Sequence, residues 1–284
     1  MGDSNPENVR QCSTIPTRLQ LCVLVAAVLA AAYSSLPLLA AEPQLTDSID
    51  MSVQVGQALS AALDLMDAGK HEEAAAALQK LREQALNDYE ASRILLQAVN
   101  LDITMGNHQA AITDSEALLQ TQTLSDAERT SATLMLGKLH LQLENWSKGV
   151  ETLLVVNEQQ PGNQETLYLI GFAYYRLQQP EPAVQFLEQA RAVNPSQAGE
   201  PIYSLLGVLY VNAKNNPKAV ETYEALINTV PNAVQAESYQ STLAQLYVQA
   251  GNNSQAKATL ELLISKFPNS AKLNDYRQRL NALN

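Results

Sequence analysis

The chain has 284 residues, of which 46% are apolar, and a formal net charge of −11. That apolar share is enough to bury a sizeable core. The acidic excess argues against general nucleic-acid binding, which needs lysine and arginine for the phosphates, and against docking of a basic face on an anionic membrane.

In chain order, the first 41 residues read as a targeting segment. Arg10 and Arg18 precede the apolar run Leu19 to Ala32, and small residues lead to a polar junction after Ala40 or Ala41. A basic start, an apolar middle and a small-residue end mark a secretory signal. The stretch Leu19 to Ala41 is also long enough to stay in a bilayer as an anchor, with the arginines held inside. In either case the rest of the chain is expected beyond the membrane, which in a bacterium with two membranes is the periplasm. Lipid attachment is not expected, because Cys22 follows Gln20 and Leu21 rather than a small residue. Cys12 and Cys22 both lie in this segment, so a chain starting near Glu42 has no thiol for a disulfide or a cysteine metal site. Residues 42–51 read as a linker.

From residue 52 the sequence repeats itself. Asp67 to Leu81, "DAGKHEEAAAALQKL", reads as the turn and second helix of a copy beginning near Val55, and Thr104 to Leu119 does the same for a copy near Ser92. Clearer copies begin near Thr130, Gln164, Glu200 and Glu237. Their markers share one register. Gly137, Gly171 and Gly207 are spaced 34 and 36 apart, and Pro161, Pro195, Pro231 and Pro268 are spaced 34, 36 and 37. Tyr174, Tyr210 and Tyr247 keep the later steps, as do Ala183, Ala219 and Ala256.

In the Gln164 copy, Leu167, Ile170, Gly171 and Tyr174 fall at i, i+3, i+4 and i+7, one face of a helix. Gly171 and Ala183 leave room for paired helices to approach. Pro180 and Pro182 fit a first helical turn, and Pro195 closes the second helix. Gly69, Gly106 and Gly251 sit in turns, where a positive φ is cheap for glycine. One helix pair leaves apolar surface open, and stacking covers it. Residues 270–284 carry Leu273, Tyr276, Leu280 and Leu283 as one apolar stripe, which predicts a helix capping the stack.

These residues resemble the tetratricopeptide repeat, a helix pair of about 34 residues. The resemblance covers nearly all of the chain after residue 52. It implies an all-α fold: a right-handed superhelical solenoid of antiparallel helix pairs, about six repeats over residues 52–269, plus the C-terminal capping helix. It also implies a concave groove lined by the first helices. Carried over position by position, the groove includes Lys138 and Leu141 in the Thr130 copy and Tyr168, Phe172, Tyr175 and Arg176 in the Gln164 copy. Val208 and Asn212 follow in the Glu200 copy, and Gln245, Val248 and Gln249 in the Glu237 copy. Lys138, Tyr168, Phe172, Tyr175, Arg176, Val208 and Asn212 are the expected partner-binding residues, since aromatics and arginine carry most of the energy at protein interfaces. Aromatics at helical spacing equally fit as packing between neighbouring first helices.

Nothing in the sequence points to chemistry. His71 and His108 recur at the same turn position and His140 stands where a core aromatic belongs, so all three read as turn and packing residues. There is no phosphate loop or nucleophile elbow. Asn145-Trp146-Ser147 matches a glycosylation acceptor, and Trp146 is expected to pack across its turn. No cofactor, metal, nucleic acid or small-molecule substrate is expected, and the chain does not read as an enzyme. The expected role is a scaffold in the cell envelope, holding a partner peptide or helix in the groove. The "ENW…K" turn, the "AYY" helix and the turn at Asn216 to Ala219 resemble repeat proteins that accompany TonB-type systems, which implies a link to such transport. The alternative is an assembly or stability factor for a pilus, secretion or outer-membrane complex.

Overall fold

The structure, a computed structural model, describes residues 51–84, 86–233 and 235–284, all within one compact unit. The expected targeting segment and nearly all of the linker lie outside the described residues. Among the described residues there are thirteen α-helices, one 3-10 turn at Pro195–Gln197 and no strand. None of these helices is long and apolar enough to cross a membrane.

The helices come in pairs: α1 (Val53–Asp67) with α2 (His71–Arg82), α3 (Asp88–Met105) with α4 (His108–Gln120), and α5 (Asp126–Gln142) with α6 (Trp146–Gln159). Then follow α7 (Gln164–Arg176) with α8 (Pro180–Val193), α9 (Gly199–Asn212) with α10 (Asn216–Thr229), and α11 (Ala236–Gln249) with α12 (Asn253–Lys266). Each second helix also packs on the first helix of the next pair, and α13 (Leu273–Ala282) packs on α12. This is the expected all-α solenoid of antiparallel pairs.

One turn geometry makes every pair. Gly69, Gly106, Glu144, Gln178, Lys214 and Gly251 are left-handed, with φ from 56° to 77°. The N–H that follows each reaches the carbonyl five residues back, as in Lys70 to Leu65 at 2.9 Å, Asn145 to His140 at 2.8 Å and Asn252 to Tyr247 at 2.8 Å. Helix-ending carbonyls are thereby satisfied in the manner of a Schellman motif. These six residues stand at the same distance from Val55, Ser92, Thr130, Gln164, Glu200 and Glu237, which sets the register of all six copies.

Close approach explains two glycines inside helices. A Cβ on Gly171 would lie 2.7 Å from Leu187 Cγ and 3.2 Å from the Ala183 carbonyl. Gly149 replaces the alanine of other copies because Leu141 Cδ2 already stands 2.3 Å from where its Cβ would be. Leu141, expected to line the groove, is fully buried and belongs to the core with Val150, Leu153 and Ile170.

The two ends are tied down differently. At the start, the buried Glu90 accepts from the Ser52 N–H at 2.8 Å and the Asn87 N–H at 3.1 Å, bracketing the beginnings of α1 and α3. Burial alone would raise the Glu90 pKa, but these hydrogen bonds more than offset it and hold the carboxyl below its usual value. At the finish, Tyr276 is wholly buried against Ala244, Leu260 and Leu263 and donates to Glu237 at 2.8 Å. Leu280 and Leu283 pack on the same cluster, so α13 covers the apolar end of the last pair.

Candidate functional site

First helices present their i, i+4 and i+7 positions along one side of the stack. On α7 these positions hold aromatic residues, and an arginine follows. Phe172 is 3% exposed and sits between the Tyr168 ring, stacked at 6.2 Å, and the edge of Trp146 at 5.8 Å. Trp146 comes from the first turn of α6, and its ring contacts, Phe172 and Arg176, lie on the first helix of the next pair. The Arg176 guanidinium lies 4.1 Å over the Trp146 ring and reaches Glu144 at 3.3 Å. Its side chain keeps 23% exposure. Such a stacked, paired arginine loses little freedom when a partner covers it.

The sequence-predicted residues therefore separate into two kinds. Tyr168, Phe172 and Arg176 come together in one cluster, with Trp146 and Glu144 completing it. Lys138 is 4% exposed, and its ammonium is held at 2.7 Å by Glu165 on the next first helix, α7. Phe172 and Lys138 are thus interior here: each supports the face without forming its surface. Tyr168 and Tyr175 are half-buried, and burial pushes the Tyr168 phenol well above its ordinary value. Val208 is half-buried on α9, and Asn212 at the end of that helix is exposed. On α11, Gln245, Val248 and Gln249 are exposed, with Val248 at 41%. The face is closed by aromatic packing near α7 and opens toward α11.

Sequence reasoning missed the bonds that join one copy to the next. Tyr210 donates to Glu188 and Tyr247 donates to Glu224, each a first-helix phenol reaching a carboxylate on the second helix of the copy before. A second series reaches back to the first helix of the copy before, Tyr239 of α11 to Glu200 of α9 and Tyr276 of the capping helix α13 to Glu237 of α11, both at 2.8 Å. The signal was present as an offset of 39 in the second series and of 22 and 23 in the first, where the copies themselves differ in length by one residue. His140 occupies the place of Tyr210 and Tyr247; it is buried, its Nδ1 has no hydrogen-bond partner, and burial with the nearby Lys148 holds its pKa below the ordinary value. Among the described residues no group of three or more His, Cys, Asp or Glu is placed to hold a metal ion.

A model of the tetratricopeptide repeat matches residues 165–196, 203–233 and 242–270, and a second model of the same repeat matches residues 59–127. Together these matches take in more than half of the chain. The chain belongs to the tetratricopeptide-repeat family. Human tetratricopeptide repeat protein 21A is 27% identical over 179 residues, which is 61% of this chain and 13% of that protein. The chain thus spans a small part of the relative it matches. Among solved structures, a MamA protein is 23% identical with a TM-score of 0.54, covering 64% of this chain and 95% of its own. MamA from Desulfovibrio magneticus RS-1 is 17% identical at 0.53, covering 65% and 99%. A tetratricopeptide repeat protein from Parabacteroides merdae is 19% identical at 0.52, covering 80% and 86%. At these identities the likeness is one of fold. It is the fold of a protein-interaction scaffold, built from tetratricopeptide repeats.

Proposed function

We propose that this tetratricopeptide-repeat chain is a non-catalytic scaffold that works beyond the cytoplasmic membrane and holds a partner peptide or helix against its first-helix face. The observation that carries the reading is the gradient on that face. The Trp146, Phe172 and Arg176 cluster gives a rigid wall, and exposed Asn212 and Val248 continue from it along the later first helices. Rigid aromatics beside adaptable amides suit the capture of a segment whose backbone needs hydrogen bonds and whose side chains need apolar cover. Export is supported by the signal-like run from Leu19 to Ala41. The "ENW…K" and "AYY" segments support a place beside a TonB-type system.

Site-specific photocrosslinking in the native cell tests the docking reading. A crosslinker at Asn212 or Val248 is expected to trap the same partner, and one at Val155, exposed on a second helix, is expected to trap none. Equal trapping from Val155, or none from Asn212 and Val248, sinks the assignment of the face. N-terminal sequencing of the chain from fractionated envelopes tests export: a start at Ala41 or Glu42 in the periplasmic fraction, or an intact start in the inner membrane, is the expected result. A cytosolic chain with an intact start refutes it.

A further inference from the structure

Neighbouring copies meet at a recurring slot. In the copies that begin at Glu200 and Glu237, the residue ten places on is Tyr210 and Tyr247. Each donates to a glutamate that stands twenty-four places into the copy before, Glu188 and Glu224. The copy that begins at Thr130 has the same slot with one member changed. Glu116 stands twenty-four places after Ser92, where the glutamate belongs, and His140 stands ten places after Thr130, where the tyrosine belongs. The carboxylate is kept, and an imidazole replaces the phenol.

That replacement leaves the slot unbridged at the imidazole Nδ1. His140 is 3% exposed, on a helix packed between α4 and α6, and its Nδ1 is buried without a hydrogen-bond partner. A phenol carries its hydroxyl beyond the ring, whereas an imidazole ends at the ring. The charged groups that face it are Glu116 from α4 and Lys148 and Glu151 from α6, all three exposed. Other charges close by are taken: Asp114 of α4 by Arg82, Glu165 of α7 by Lys138, and Glu144 in the turn after α5 by Arg176. A proton on His140 would place a charge in the interior, make Nδ1–H a buried donor without an acceptor, and set that charge near Lys148. Glu116 and Glu151 pull the other way, but from solvent, where their field is screened. Burial first, and Lys148 next, hold the imidazole below its ordinary value.

We propose that this slot is an acid-sensitive joint, at which a proton taken up by His140 loosens α5 from α4 and uncouples the first two copies from the four that follow. The neutral imidazole packs in the closed joint. The imidazolium needs water or a carboxylate, and reaches them when the joint opens. Because the closed joint binds the proton less readily than the open one, its strength is complete above the ordinary imidazole value of about 6.5 and is lost as the pH falls through the folded value. One proton is involved, so the opening equilibrium rises by at most about tenfold per pH unit. Each junction of a stack contributes its own share of stability, so the loss stays local. Tyr210 and Tyr247 take up no proton in this range, and the junctions they bridge stay closed.

Hydrogen exchange of the full chain at about pH 7.5 and about pH 5 tests this, a range that crosses the ordinary imidazole value and stays above the carboxylate values. Protection in α4 and α5 is expected to fall at the lower pH, while α8 to α11 keep theirs. His140→Tyr restores a donor for Glu116 and is expected to remove the fall. Two exposed neighbours test the charge itself and leave the core untouched. Lys148→Gln is expected to raise the NMR titration midpoint of the His140 ring and shrink the fall. Glu116→Gln is expected to lower that midpoint and deepen the fall. Equal protection of α4 and α5 at both pH values overturns the proposal. So does a fall shared by all thirteen helices, a fall that persists in a folded His140→Tyr chain, or a His140 midpoint that neither neighbour moves.

Discussion

Gln178 and Lys214 hold left-handed turn positions that Gly69, Gly106 and Gly251 hold in other copies. A side chain at such a φ crowds its own carbonyl, at about 1 kcal/mol, while glycine does not. The turn itself is otherwise identical, with the same backbone hydrogen bonds, so the comparison isolates a single backbone angle. Gln178→Gly or Lys214→Gly should therefore raise stability by about 1 kcal/mol at most, offset in part by the greater freedom of the unfolded chain. The reverse change, Gly69→Ala, should lower it by about 1 kcal/mol. Its new Cβ would meet nothing within 4 Å, so packing does not confuse the result. Urea denaturation followed by helicity measures both. A loss on Gln178→Gly would mean that the glutamine side chain stabilises the turn in some further way.

Helices of neighbouring copies are joined by phenol-to-carboxylate bonds as well as by apolar contact. Glu224 has Tyr247 as its hydrogen-bond donor, whereas Glu188 is shared between Tyr210 and Arg191. Tyr247→Phe should cost about 2 kcal/mol and Tyr210→Phe nearer 1, because a hydrogen bond to a charged group is worth more when nothing replaces it. Burial first, and the carboxylate next where there is one, raises these phenols. Tyr276 is pushed up to about 12 with Glu237 beside it, and Tyr223 to about 12 by burial alone. Tyr210, Tyr239 and Tyr247 go higher. A raised phenol pKa means that the folded chain keeps its protons longer than the unfolded one. That stability is complete below the ordinary value of about 10 and is lost as the pH climbs from there through the folded values. Denaturation midpoints measured between pH 8 and pH 12 should stay level and then fall from about pH 10 upward. A flat profile to pH 12 would show that the phenols are not held as described.

On the scale of the whole molecule, stability passes from pair to pair, so an end matters more than its size suggests. Helix α13 is short and mostly polar, yet Tyr276 fills the gap above Leu260 and Leu263 and reaches back to Glu237. Tyr276→Ala removes a large buried side chain, a change of about 3–5 kcal/mol in a closed core. Here the last helix can lift away, so the loss should appear as fast hydrogen exchange confined to α12 and α13, with α3 to α8 keeping their protection. Uniform loss across all thirteen helices would instead describe one cooperative unit.

The repeat was legible in the sequence because its markers act locally: the left-handed turns, the first-turn prolines and the small residues at helix contacts each leave a residue type at a set interval. Stacking followed from these, since no single pair can bury its own apolar side. What the sequence left open was which groove positions face solvent. Lys138 and Phe172 occupy groove positions just as Asn212 does, and they are interior only because Glu165 and Trp146 arrive over them from other helices. Leu141 is core because Gly149 lets it in. Exposure at a fixed repeat position is set by the size and charge of side chains contributed from elsewhere in the stack. That relation exists only once the helices have packed.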